Sequence, residues 1–540
     1  MRVMTISRYA GKMDLPPFAP GYRASGVLLH VTSLPSPYGI GDLGPAAMRW
    51  IDLLHEAGQS WWQALPLGPT GYGNSPYQLL SSFAGNEFLI SPDWLIEDRL
   101  LRADDCAAAS SSETAVDYGM VIALKRRMLE KAWNNFSSAS NRELKAAFEE
   151  FCHDQSHWLD DYALFAALKA RYNGAYYLEW PLELVQRVPA AVSRARHELA
   201  SQIDQVRFAQ FLVFRQGARL KEYGRASGIR LIGDLPFFAS PDSSDVWANP
   251  ELFVLDEQHK PRFVAGVPPD YFSAQGQLWG NPVYNWDMLG KNGYRWCIDR
   301  LRALLTHVDV VRLDHFRGFA AAWHVPAEAT SAQSGHWATG PGADFFRAVE
   351  KALGGLPFIA EDLGVITPDV CALRDQFHLP GTRVLQFAFD GHSDNPYLPH
   401  NYVPNTVVYT GTHDNPPSRA WYEELPGDQR ANLWRYLKSP STESREVAWS
   451  LISLAWSSVA AVSIAPLQDL LNLGLEARMN VPGRAEGNWA WRCSQELLCG
   501  SFLRPLSELT SRSNRSSARD CSPRSGNPQA APCTTAEVKL

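Results

Sequence analysis

The chain has 540 residues, 45% hydrophobic and 20% charged, a balance that supports a large buried core. A formal net charge of −7 gives no electrostatic basis for holding nucleic acid, and no run reaches the roughly 20 apolar residues that cross a bilayer. The eight cysteines (106, 152, 297, 371, 493, 499, 521 and 533) form no CxxC pair and no zinc-like spacing with histidine, so they read as free thiols in a reducing, cytoplasmic setting.

Taken in chain order, residues 1–21 lack the apolar stretch of a secretory signal and are expected to form an arm. Short apolar runs then follow at 27–30, 61–65, 229–233, 308–313, 358–360, 383–388, 406–409 and 459–464. Their near-continuous apolar character predicts strands buried on both faces, as in a parallel sheet. Helical spacing lies between most of them, as at 48–57 (Met48, Ile51, Leu54, His55) and 205–223 (Phe208, Leu212, Arg215, Arg219). Eight strands alternating with helices predict an α/β protein with a (β/α)8 TIM barrel.

The spacing of the runs is uneven. Two long insertions, at about 67–228 and 236–302, are expected to pack as helical subdomains beside the barrel. The first carries an apolar stripe at near-helical steps: Leu144, Phe148, Phe151, Trp158, Leu159, Tyr162, Phe165 and Leu168. The second holds an aromatic run from Val267 to Trp286. The barrel and its insertions are expected to occupy 22–512. Residues 513–540 are rich in Ser, Arg, Pro and Ala, cannot bury enough apolar surface to order themselves, and are expected to be disordered.

Four apolar runs stop at carboxylates: IRLIGD at Asp234, VDVVRLD at Asp314, LPFIAED at Glu361 and Asp362, and VVYTGTHD at Asp414. In a barrel the residues just past the strands' C-terminal ends converge on one mouth, where chemistry occurs. Two carboxylates flanking one bond are the minimum equipment for glycoside cleavage. One such aspartate alone is more often a helix cap or turn residue, and Asp369 in ITPD is read that way. Arg312 beside Asp314 is expected to keep that carboxylate ionised, as a nucleophile requires, whereas the apolar run before Glu361 suits a general acid with a raised pKa. The 19 tryptophans, several in Gly-, Pro- and Asn-rich segments, offer flat surfaces for sugar rings. GPTGYGNS lacks the Lys-Ser/Thr ending of a phosphate loop.

Eight segments, HVTSLPSPYGIGDLG, ALPLGPTGYGNSPYQ, GDLPFF, GVPPDYFSAQGQLWGNPVYNW, VRLDHFRG, AEDLG, GTHDN and RMNVPGRAEGNWAWR, resemble in order the signatures of amylomaltases, the 4-alpha-glucanotransferases, from about residue 22 to about 508. The resemblance implies a barrel of the alpha-amylase superfamily with no C-terminal β-sandwich. It implies Asp314 as nucleophile, Glu361 as general acid/base and Asp414 as the third carboxylate, which grips the reacting sugar. Arg312, His413 and Asp234 match pocket positions, and Tyr77 a donor-sugar position. Tyr271, Phe272, Trp279 and Asn281 match a loop that arches over the acceptor side. The implied partners are alpha-1,4-glucans as donor and acceptor, with no cofactor or metal, on a monomer or weak homo-oligomer. Retaining chemistry predicts the Asp314 and Glu361 carboxyls about 5–5.5 Å apart. A hydrolase on the same scaffold and a non-catalytic glucan binder are the rival readings. The polar tail departs from the family pattern.

Overall fold

Each of the eight apolar runs overlaps a strand, with some boundaries displaced by a few residues. The computed structural model describes residues 15–106, 112–138, 141–269, 275–438, 443–498 and 500–516. Twelve strands occur among them: β1 (Ala24–Leu28), β2 (Trp61–Gln63), β3 (Arg230–Leu235), β4 (Phe263–Val267), β5 (Gln277–Pro282), β6 (Val310–Leu313), β7 (Ala321–Pro326), β8 (His336–Thr339), β9 (Phe358–Ala360), β10 (Gly381–Val384), β11 (Thr406–Tyr409) and β12 (Val462–Pro466). Eight of them close a parallel barrel in the order β1, β2, β3, β6, β9, β10, β11, β12, with β12 pairing back to β1. Residues of β6, β9, β11 and β12 are buried throughout, the pattern of strands covered on one face by the barrel interior and on the other by helices. Burying each Val or Leu there contributes about 1.5–3 kcal/mol.

The insertion between β2 and β3 is helical, as expected. Its apolar stripe splits into two helices, Arg142–Asp154 and Ser156–Arg171, which meet at Gln155. Phe148 and Phe151 of the first helix contact Phe208, Phe211 and Phe214 of Ala200–Ala226, the long helix that returns the chain to β3. Trp50, Trp61, Trp62, Trp247 and Trp456 are fully buried, so much of the tryptophan content serves the core.

The second insertion departs from the helical expectation. It contributes β4 and β5 to a four-stranded antiparallel sheet, order β5-β4-β7-β8, completed by β7 and β8 from the segment after β6. These strands are only half-buried, and β5 contains Gly280 at φ 79° and ends at Pro282, so no continuous apolar run announces them.

Both ends of the described chain dock on the barrel. Phe18 of the arm stacks on Tyr22, ring centroids 4.9 Å apart. The expected start of the disordered tail, residue 513, is too early. Arg515 is fully buried and donates to the Ala24, Trp456 and Ser458 carbonyls at 2.9, 2.7 and 2.9 Å. Ala24 opens β1, so this clasp lies at the strands' N-terminal ends, away from the carboxylates. Residues 517–540 lie outside the described residues.

Candidate active site

Strand register brings the polar residues together. On β6 the alternation of VVRLD points Arg312 and Asp314 to the same side, and the pairing of β3 with β6 sets Asp234 directly opposite Arg312. Arg312 Nη1 donates to both Asp234 oxygens at 2.9 and 2.7 Å and to Asp314 Oδ1 at 3.1 Å. The Asp234 side chain is fully buried and also accepts from the Tyr77 hydroxyl at 2.8 Å. Its partners are therefore protein groups, and it braces Arg312 and Tyr77 from below.

Glu361 follows β9 directly, and β9 is the other neighbour of β6, with Leu313 opposite Ala360. The ladder continues past both strand ends: Glu361 N donates to Leu313 O at 3.1 Å and Phe316 N to Glu361 O at 3.0 Å. The Glu361 carboxyl accepts from His315 N at 2.7 Å and Leu363 N at 3.1 Å. Asp362, the adjacent carboxylate, is buried and turned the other way, onto Thr382 N at 2.6 Å and the guanidiniums of Arg374 and Arg383. It is a brace rather than a reacting group. Asp369 lies in the first turn of the helix Pro368–Gln376, after its cap Thr367.

Asp414 sits in the loop after β11, and its side chain is 48% exposed. Its Oδ1 accepts from Asn480 Nδ2 at 2.6 Å and lies 3.4 Å from His413 Nε2, while Arg478 donates to its carbonyl at 2.9 Å. Tyr77 stacks on His413, centroids 5.0 Å apart and planes within 17°, and Trp489 closes the wall at 5.8 Å from Tyr77. Beside His413 a narrow recess, partly open to solvent, is lined by His30, Thr412, Gln468, Arg478 and Met479. Arg478, Asn480 and Trp489 were not singled out from the sequence. The signal was present, because all three lie in RMNVPGRAEGNWAWR, a Gly- and Pro-punctuated run with little reason to hold Trp and Asn for packing.

On the opposite side Trp279, on β5, meets His315 edge-on at 4.9 Å. Asn281 is buried and donates to Ala239 O at 2.9 Å, which ties β5 to the loop after β3. Tyr271 and Phe272 lie outside the described residues. The turn after Asp314 packs so closely that a Cβ on Gly318 would stand 2.7 Å from the Phe237 ring.

Burial is the largest influence on both central carboxyls. It pushes Asp314 up to about 7, with Arg312 opposing and Asp234 and Asp414 adding to the rise. The expectation that Arg312 holds Asp314 low is thus corrected: one guanidinium shared with Asp234 does not outweigh desolvation. Glu361 goes further, up to about 8, because burial and the neighbouring Asp314 act together against Arg312. Asp314 has the direct cation contact and Glu361 does not, so at neutral pH the shared proton rests on Glu361. Burial also lowers His413, which stays neutral.

A family model described as 4-alpha-glucanotransferase matches residues 29–497. The 4-alpha-glucanotransferase of Thermus thermophilus is 47% identical over 508 residues, covering 93% of this chain and 100% of that protein. That of Synechocystis sp. is 50% identical over 492 residues, covering 90% and 97%. The solved amylomaltase from Streptococcus agalactiae in complex with acarbose matches with a TM-score of 0.88 at 36% identity, over 92% of this chain and 100% of that one. Family model, relatives and barrel agree: this chain belongs to the 4-alpha-glucanotransferase family.

Proposed function

We propose that this 4-alpha-glucanotransferase moves alpha-1,4-glucan segments by retaining double displacement, with Asp314 as nucleophile and Glu361 as general acid/base. Ionised Asp314 attacks the anomeric carbon while Glu361 gives its proton to the departing glycosidic oxygen. The C–O bond breaks, the leaving glucan departs, and a covalent glucosyl-enzyme remains. The 4-hydroxyl of an acceptor glucan then gives its proton to Glu361 and attacks the same carbon, which releases Asp314 and retains the alpha configuration.

The observation that carries this reading is the register of β6 and β9. It puts Asp314 and Glu361 side by side on adjacent parallel strands, whose spacing is about 4.8 Å. That suits the short carboxyl separation of a retaining enzyme, about 5–5.5 Å, rather than the wider gap, roughly 6.5–9.5 Å, of an inverting one. Asp414, exposed and held by Asn480, is placed to grip hydroxyls of the reacting sugar as it flattens. Tyr77, His413 and Trp489 form the wall on that side, and Trp279 is the platform on the acceptor side. Asp234 and Asn281 act through the groups they hold. The buried thiols of Cys106 and Cys297, which form no disulfide, support a cytoplasmic location.

Incubation with maltotriose tests the activity. Glucose plus a ladder of longer maltooligosaccharides, with no net gain in reducing ends, is expected. Glucose and maltose alone, with reducing ends rising, would make the enzyme a hydrolase instead.

A further inference from the structure

His315 lies between the nucleophile and the acceptor platform, and its backbone is unusual. At φ 48°, ψ 50° it is left-handed, a conformation unfavourable for a residue with a side chain. The turn so formed aims its N–H at Glu361 Oε2, 2.7 Å away. Its ring is held among Phe237, Phe238 and Trp279, with Trp279 the nearest at 4.9 Å and edge-on. Burial keeps this imidazole neutral at working pH, so the ring offers shape rather than charge. Strain of this kind persists only where the surroundings impose it, and here they lie on the path from acceptor to acid/base.

We propose that His315 is a positioning residue that ties the acceptor platform to the acid/base: its N–H fixes the Glu361 carboxyl while its ring backs Trp279. The sugar that must lose a proton and the group that must take it then share one support, so a well-seated acceptor meets an aligned base. A water molecule, which needs no platform, gains nothing from the arrangement. The inference rests on the roles given above to Glu361 and Trp279.

Glu361 also faces Arg312 and Asp314 from the β6 side, Asp362 on its own segment, Tyr397 from the loop after β10 and Tyr409 from β11. Replacing His315 leaves the identity of each of these groups unchanged. Two substitutions separate the two tasks. His315→Gly keeps the left-handed turn and removes the ring; His315→Val disfavours the turn.

The Gly variant is expected to keep the basic limb of the kcat/KM pH profile in place. Its KM for glucose as acceptor should rise about tenfold, and hydrolysis should take a larger share of turnover. In the Val variant Glu361 loses a donor that favours its ionised form, so the basic limb should move to higher pH while kcat falls roughly 10- to 100-fold. A Gly variant with the wild-type acceptor KM and hydrolysis share would overturn the ring's role. A folded Val variant with an unmoved limb would overturn the backbone's role; if the Val variant does not fold, the Gly variant still decides. Trp279→Ala and Glu361→Gln run alongside identify the other kind of failure. Unchanged acceptor use in the first, or undiminished turnover in the second, would remove the underlying assignments rather than this link.

Discussion

Arg312→Met is the most informative single perturbation, because stability and activity should respond to it separately. The substitution leaves Asp234, fully buried, facing an apolar side chain with only the Tyr77 hydroxyl for company. Breaking a buried pair by removing one partner costs about 3–5 kcal/mol. With an unfolding entropy of ~2.1 cal/mol/K per residue over 540 residues, each kcal/mol moves Tm by roughly 1 °C, so a fall of ~3–5 °C is expected. Asp314 loses its cation as well. At an effective dielectric of ~20 the 3.1 Å pair is worth ~5 kcal/mol gross. The Asp314 side chain is 28% exposed, and solvent screening halves that figure. The remainder, ~2 pKa units, lowers kcat/KM at neutral pH about 10²-fold. Asp234→Asn added to Arg312→Met removes the orphaned charge while keeping an acceptor for Tyr77. The double variant should recover most of the Tm and none of the activity. Thermal melts and maltotriose kinetics on the single and double variants provide the cycle. A single variant within ~1 kcal/mol of wild type, or a double variant as unstable as the single, would refute the claim that Arg312 neutralises Asp234.

Other consequences follow from the same geometry. Glu361 is raised from 4.5 to about 8 in the folded protein, so between those values the native state holds a proton that the unfolded chain releases, and stability falls as pH rises through that window. Glu361→Gln should therefore stabilise the protein by about 1 kcal/mol near neutral pH, after loss of one of the two backbone contacts, and by nothing below the window; a Tm difference independent of pH would contradict this. Asn480→Ala removes the 2.6 Å donor to Asp414 and should lower kcat about tenfold with a small change in KM; an unaltered kcat in maltotriose assays would show that Asp414 orients itself. A chain ended after Arg512 loses the Arg515 clasp and should be about 3 kcal/mol less stable than one ended after Ser516, which should melt like the full chain. Equal melting of the two truncations would show the clasp to be idle.

What could be read in the sequence follows from what a linear pattern records. β9 and β11 were legible to the residue, because each is an apolar run stopped by turn residues. β10 was expected at 383–388 but spans Gly381–Val384, since the apolar LQFAF continues into a 3-10 turn that periodicity cannot separate from strand. The antiparallel sheet was invisible: FVAGV and QLWGNP are half-buried and broken by glycine and proline, so no continuous run marks them. The gathering of Asp234, Arg312, Asp314 and Glu361 at strand ends was legible because a barrel maps sequence position onto one mouth. Its electrostatics were not. Adjacent letters show Arg312 beside Asp314, but only the fold shows that Asp234 claims the same guanidinium and that burial outweighs it. Arg515 escaped notice because composition averages a segment, and one buried arginine in a polar run changes no average.

The central claim is a covalent glucosyl-enzyme on Asp314. A 5-fluoro-alpha-glucosyl fluoride slows both steps of such a displacement and lets the intermediate accumulate, so peptide mass spectrometry after brief incubation reads the site directly. The account predicts one fluoroglucosyl adduct, on the peptide containing Asp314, which disappears when maltose is added as acceptor. An adduct on another residue would contradict the assignment of the nucleophile. Turnover of an alpha-glucosyl fluoride with no adduct and with inverted product would contradict the mechanism itself.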